Sequence, residues 1–180
     1  MISTIDSFTI EQYKKLILLK DKILKKALVP LGKAGFPADL MSFMGLVCGI
    51  ISAFYITKSR IVFFFLWLAK HIADILDGPL SQLNKKKIIT SIDVDRFCDN
   101  AYSFILYFVL MLKVDLWLAL SASLFHAMHI LLNHKEIGRS VFAPASIAQI
   151  FFVLGLFEVG LIVQILYSGF SIFYHLLRKN

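Results

Sequence analysis

Residues 61–82 read IVFFFLWLAKHIADILDGPLSQ, and residues 91–112 read SIDVDRFCDNAYSFILYFVLML. Each stretch is long enough to cross the hydrocarbon of a bilayer, which takes about 20 mostly apolar residues. Each also carries carboxylates that such a segment ordinarily excludes. Asp74 and Asp77 stand at i and i+3 on the first, Asp95 and Asp99 at i and i+4 on the second, so each pair shares one helix face. The short connection between the stretches makes them antiparallel neighbours and brings all four carboxylates to the same end. An ionised carboxylate within a span costs at least ~2.5 kcal/mol on insertion scales. Left alone, four of them would repel one another and take up protons, whereas one or two hard divalent cations would neutralise them through oxygen ligands. The spacing therefore points to a metal site made by Asp74, Asp77, Asp95 and Asp99. Gly78, next to Asp77, offers a place where a ligand can approach the helix backbone closely. The alternative is a structural ion-pair network with Lys70, Arg96 and Lys85. Asp93 lies roughly 200° from Asp95 on a helical wheel. With Thr90 it forms a T-x-x-D cap for its helix, a structural role.

The rest of the chain extends the membrane reading. Of its 180 residues 58% are apolar, and the mean hydropathy is +0.76, too greasy for an ordinary soluble globule. The net charge of +7 would suit nucleic acid, but the sequence offers no soluble domain to carry a basic groove and the lysines cluster beside apolar segments, so no nucleic-acid partner is expected. Membrane lipid head groups are the expected counter-charge. Cys48 and Cys98 have no metal-type spacing and are not expected to pair. The first apolar run is interrupted by lysines, so no secretory signal is expected.

Residues 8–28 put Ile10, Tyr13, Leu16, Ile17, Leu24, Ala27 and Leu28 near one face and most of the lysines elsewhere, the pattern of an interfacial amphipathic helix. Six spans follow, at about 38–57, 61–82, 91–112, 116–132, 144–157 and 159–177. The expected fold is an all-α integral membrane protein: a cytoplasmic segment over 1–36 with its amphipathic helix, then a six-helix transmembrane domain over 37–180. With the N-terminus inside, fourteen Lys and Arg fall on the cytoplasmic side and only Lys58, Arg60 and Lys113 outside. The positive-inside rule then places both termini and the 85–90 loop in the cytoplasm.

The stretch from Asp74 to Asp99 resembles the signature of the CDP-alcohol phosphatidyltransferase family, D-x2-D-G-x2-A-R-x8-G-x3-D-x3-D. It supplies Asp74, Asp77, Gly78, Asp95 and Asp99 at full spacing, with Ser81 and Gln82 in place of Ala and Arg and Ser91 in place of the second Gly. Asp39, Ser42 and Gly45 make a conservative variant of the N-x-x-T-x-x-G that often opens the family's first span. The resemblance covers the first 110 residues by motif and the remainder by topology. It implies a transferase of phospholipid biosynthesis, in which an acceptor hydroxyl attacks a CDP-linked lipid and CMP leaves. It further implies two divalent ions, Mg²⁺ or Mn²⁺, on Asp74, Asp77, Asp95 and Asp99, with Asp99 also the base. Gly78, Ser81, Gln82 and Ser91 would lie beside the nucleotide, and the family's members form homodimers. Gln82 leaves one positive charge missing where a diphosphate binds, and Lys85, Lys86 or Lys87 can supply it.

Arg139 and Lys135 lie at the cytoplasmic end of the fourth span, where a guanidinium can hold a phosphorylated acceptor or simply contact head groups. That electrostatic leaning favours glycerol 3-phosphate or an inositol phosphate as the small polar alcohol. Lys70, one turn before Asp74, reads as a charge partner. His126 and His129 at i and i+3 lack a third ligand and read as polar packing rather than a second metal site. Three competing functions remain open: a cation transporter, a membrane prenyltransferase, and a catalytically silent relative acting as a partner protein. A transporter wants carboxylates at the midplane and a polar path outward. A prenyltransferase usually has two separated Asp motifs, and this chain has one.

Overall fold

The computed structural model describes residues 22–83, 94–133 and 144–178, and every element among them is a helix. Helix α1 covers 22–33, followed by α2 (Ala38–Tyr55), α3 (Arg60–Leu83), α4 (Val94–Lys113), α5 (Leu116–Asn133), α6 (Pro144–Val153) and α7 (Phe157–Arg178). The described residues fall into two compact units, one within Met1–Gly49 and Trp67–Asp99, the other within Ile50–Leu66 and Asn100–Asn180.

In the first unit, Leu28 of α1, Ala38 of α2 and Leu80 of α3 are buried together, with Leu24, Phe36, Leu76 and Leu83 packed against them. Lys22 and Lys26 are exposed. Leu24 and Leu28 face this core while Ile23 and Ala27 are exposed, and residues 8–21 lie outside the described residues. Helix α1 stops at a Schellman cap: Phe36 N–H donates to the Leu31 carbonyl (3.1 Å) and Gly35 N–H to that of Gly32 (3.1 Å), with Gly35 at φ 74°.

In the second unit, α7 packs on α5 and α6. Asp115 caps α5 by accepting the Leu118 N–H at 2.6 Å. Gln164 of α7 donates to Ser168 (2.8 Å), and its amide lies 3.4 Å from His126 Nδ1 of α5. The His126 ring also packs edge-on against Phe104 and Tyr107 of α4. His126 is thereby built into a buried polar knot, as polar packing requires.

Membrane-crossing capacity is uneven. Helix α2 is long and apolar enough to cross a bilayer, while the apolar stretches Leu116–Leu132 and Phe157–Phe173 are shorter. Helices α3 and α4 have 24 and 20 residues, but Lys70, Asp74 and Asp77 interrupt the first and Asp95, Arg96 and Asp99 the second. The expected fifth span over 144–157 is shorter still: α6 has 10 residues. It is cut off by a second Schellman cap, in which Leu156 N–H donates to Phe151 (2.9 Å) and Gly155 N–H to Phe152 (3.0 Å).

The surface polarity of the long helices is inverted. Ile61, Phe65, Leu68, Ile72 and Ile75 form an exposed stripe on α3; Phe97, Phe104, Phe108 and Leu112 do so on α4; Trp117, Leu124, Met128 and Leu131 on α5; Ile162, Leu166, Phe170 and Phe173 on α7. Ser42, Ser52, Lys70, Asp77, Ser103, His126, His129, Gln149, Gln164 and Ser168 are buried instead.

The turn between α6 and α7 depends on one backbone position. Gly155 has φ 78°, and a Cβ there would lie 2.6 Å from the Arg60 guanidinium carbon. The arginine can swing aside, but the left-handed backbone remains strained by roughly 1–2 kcal/mol for a residue with a side chain. Gly155→Ala is therefore expected to lower the thermal unfolding temperature of the detergent-purified protein. An unchanged melting curve would show that the turn relaxes freely.

Candidate metal centre

Helix α3 presents Lys70, His71, Asp74 and Asp77 within about two turns, at i, i+1, i+4 and i+7, which places them on one side of the helix. Lys70 is 4% exposed, and its ammonium donates to Asp74 Oδ2 on its own helix and to Asp99 Oδ1 on α4. His71 Nδ1 lies 3.5 Å from the same Asp74 oxygen. Asp74, Asp95 and Asp99 each offer a carboxylate oxygen, and the three oxygens lie within 4.8 Å of one another. Asp77 lies one turn further along α3 and is outside that converging group. Three of the four carboxylates singled out by spacing thus come together.

Helix α2 shapes the cluster from the side. Ser42 donates to Asp77 Oδ2 at 2.9 Å, fixing a carboxylate that is only 7% exposed. One turn further, Gly45 lets the two helices touch. A Cβ at Gly45 would sit 3.2 Å from Ala73 Cβ, 3.3 Å from Asp74 Oδ1 and 3.4 Å from the Lys70 carbonyl, so a larger residue would push α2 off the helix that carries the site. Asp39, Ser42 and Gly45 therefore share the face of α2 turned to the acidic residues, and Asp39 and Ser42 are both buried. Exposure rises across the carboxylates. The side chain of Asp74 is 23% exposed and that of Asp99 44%, and Asp95 is open as well.

The donor set is all oxygen and all carboxylate, which fits a hard divalent cation such as Mg²⁺ or Mn²⁺ and does not fit a soft metal. Cys98 is adjacent in sequence but is not part of the converging group. Beside the cluster, nothing lies within 4 Å of a Cβ built at Gly78, so the α3 backbone is open there. The Ser81 hydroxyl turns back on its own helix and donates to the Gly78 carbonyl at 2.7 Å, while Gln82 is exposed. Ser91, Asp93, the lysines at 85–87, Lys135 and Arg139 lie outside the described residues.

No family model matches the chain, and no curated protein or solved structure shows a significant similarity to it. The geometry of the site stands without an outside template.

Spacing alone identified the carboxylates but not what surrounds them. Lys70 was readable as a partner of Asp74 from its i−4 position, whereas its bond to Asp99 depends on how α3 meets α4. His71 carries the i−3 relation to Asp74 that would have flagged it. Ser42 as the partner of Asp77, 35 residues away, left no local signal. If that hydroxyl orients Asp77 for a cation, Ser42→Ala should weaken Mn²⁺ binding by about tenfold to a hundredfold, the usual effect of removing a group that holds a ligand in place. Equilibrium dialysis of the purified protein measures it, and an unchanged affinity removes Ser42 from the site.

Proposed function

We propose that this chain is a multi-pass membrane enzyme of the CDP-alcohol phosphatidyltransferase type. In this reading it transfers a phosphatidyl group from a CDP-linked lipid to the hydroxyl of a small polar alcohol and releases CMP. The observation that carries it is the convergence of Asp74 with Asp95 and Asp99, from two different helices, to within 4.8 Å. That convergence brings together the residues of the signature-like stretch, beside an open backbone at Gly78.

The exposed apolar stripes on α3, α4, α5 and α7 support a lipid environment, because a protein in water does not present such continuous apolar faces. In lipid the same surface is favourable, and the polar groups turn inward. Six spans, with α6 a short one that does not cross independently, both termini and the acidic cluster at the cytoplasmic side, and a homodimer complete the proposal.

Bound Mg²⁺ or Mn²⁺ would clamp the donor diphosphate and offset the charge that builds on departing CMP. The chain's own residues do the rest. Asp74, Asp77 and Asp95 hold the cationic centre, with Ser42 fixing Asp77. Asp99, the most open member of the Lys70-linked group, takes the proton of the acceptor hydroxyl as its oxygen attacks the lipid-bearing phosphorus. The bond from that phosphorus to the CMP oxygen breaks, and CMP leaves with the electron pair. Gly78 leaves room for the nucleotide side of the donor, with Ser81, Gln82 and Ser91 along its path. Arg139 is the candidate to hold a phosphorylated acceptor such as glycerol 3-phosphate or an inositol phosphate.

One observation favours a second reading. Lys70 already offsets part of the carboxylate charge from within the site, which is what a catalytically silent relative acting as a membrane partner would need. The test is CMP release from labelled CDP-diacylglycerol by the purified protein with Mg²⁺ or Mn²⁺ and a panel of acceptor alcohols. Metal-dependent release is expected, and Asp99→Asn should lower it by roughly 10²–10⁴-fold, the range for loss of a general base. No release from any CDP-lipid with any acceptor sinks the transferase reading. Release unaffected by Asp99→Asn removes only the base assignment.

A further inference from the structure

We infer that helix α1 holds anionic lipid head groups on a stripe made by Lys22, Lys26 and Lys33, with the neighbouring Ile23, Ala27, Pro30 and Leu31 set against the acyl chains. The inference rests on the membrane placement proposed above and not on the transferase chemistry. It assigns a lipid surface to a helix whose regular apolar face is already taken up by the protein.

Three stripes run along α1. Leu24, Leu28 and Gly32 fall within about 80° of one another on a helical wheel, and all three meet the protein. Leu28 is buried with Ala38 and Leu80, Leu24 packs against that core, and a Cβ at Gly32 would lie 3.0 Å from Leu83 Cβ. The face that amphipathic spacing marks for the membrane is therefore spent, at Leu24 and Leu28, on the end of α3. On the far side of the helix Lys22, Lys26 and Lys33 share a sector of about 40°, and all three are exposed. Between these two stripes lie Pro30, Ile23, Ala27 and Leu31, also exposed, Ile23 at 62% and Leu31 at 38%.

This arrangement selects its partner by chemistry. Water satisfies the lysines but not Ile23 and Leu31, and a neutral bilayer satisfies the apolar strip but brings no counter-charge. No Asp or Glu occurs from Lys22 to Ala38, so the stripe has no carboxylate in its own segment to neutralise it. An anionic bilayer surface meets both needs: the apolar strip enters the acyl boundary, and the lysines extend along it to the head-group phosphates. The distance from Lys22 to Lys33 is about 16 Å along the helix axis, so the contact is with a patch of lipid rather than a single phosphate. Leu80, against which Leu28 packs, stands about one turn beyond Asp77. Lipid gathered on α1 thus collects beside the helix that carries Asp77 and Gly78.

The experiment reads which lipid touches α1. Full-length protein is reconstituted into mixtures of phosphatidylcholine and phosphatidylglycerol in which one or the other carries brominated acyl chains, and tryptophan quenching is compared for the native chain and for Ile23→Trp. The native Trp67 and Trp117 report whether the chain lies in the bilayer, and the emission added by Ile23→Trp reports on α1. That added emission is expected to be quenched, with brominated phosphatidylglycerol competing about fivefold better than brominated phosphatidylcholine, the preference supplied by one fully engaged lysine. Lys22→Gln, Lys26→Gln and Lys33→Gln together should abolish the preference, whereas Lys22→Arg, Lys26→Arg and Lys33→Arg should keep it. Should Ile23→Trp not fold, Leu31→Trp reads the same strip. Native emission quenched while the added emission is untouched overturns the inference, because α1 then faces water or another protein. A phosphatidylglycerol preference that is absent, or that survives the three Gln substitutions, overturns it as well. Native emission that no brominated lipid quenches removes the membrane placement and this inference with it. CMP release plays no part in these readings, so failure of the transferase reading leaves the lipid preference standing.

Discussion

Three carboxylates converging between α3 and α4, Asp74, Asp95 and Asp99, with Asp77 one turn away, impose a charge problem on the first unit, and the contact of Lys70 with Asp74 and Asp99 is its central answer. At about 4 Å and an effective dielectric constant near 20, a pair of unit charges interacts by about 4 kcal/mol. Like charges within the cluster oppose one another on that scale, and a buried ammonium touching two of them turns part of the repulsion into attraction. The surrounding packing follows from holding that contact in place. Gly45 lets α2 lie directly on the α3 backbone at Lys70 and Asp74, and Ser42 immobilises Asp77. Leu28, Ala38 and Leu80 form a buried apolar cluster in the same unit. Breaking a buried pair by removing one partner is far more damaging than never having had it, so these supports are matched to the charges they position.

The second unit meets the same inverted polarity without ionised groups. Gln164, Ser168 and His126 share hydrogen bonds or close approaches in its interior, while Leu166, Phe170 and Phe173 of the same helix face outward. In the membrane environment proposed above there is little hydrophobic drive between helices, and interhelical polar contacts and close packing carry association. The Gln164–His126 approach joins α7 to α5 in that way. Both units thus bury polar residues among apolar ones and leave further large apolar residues exposed.

How far the sequence disclosed this depends on the range of the interaction. The i, i+3 and i, i+4 spacings of Asp74, Asp77, Asp95 and Asp99 are helical arithmetic, and the structure brings Asp74, Asp95 and Asp99 together. Lys70 and His71 stand at the same kind of spacing from Asp74, although only Lys70 was read that way. The partnership of Ser42 with Asp77 and the reach of Lys70 to Asp99 are tertiary, and no periodicity encodes them. The misjudged end of the fifth span was local, however. Gly155 is a left-handed helix stop followed by Leu156 and then a new helix, a C-cap pattern that the run of apolar residues around it concealed. The break expected between 157 and 159 falls instead at 154–156, where Gly155 sets it.

Within α3 the order of residues has a further consequence. Lys70 to Asp77 is a regular helical face, but Gly78 has open space where a side chain would be, and Pro79 sits inside the helix. Proline has no N–H, so the Ile75 carbonyl loses its helical donor one turn after Lys70. The rigid, charged part of α3 therefore ends where the thin and incompletely bonded part begins, at Asp77. Beside Asp77 the helix face thus passes from side chains to open backbone, and in the transferase reading proposed above that opening is where the donor diphosphate would find room to approach.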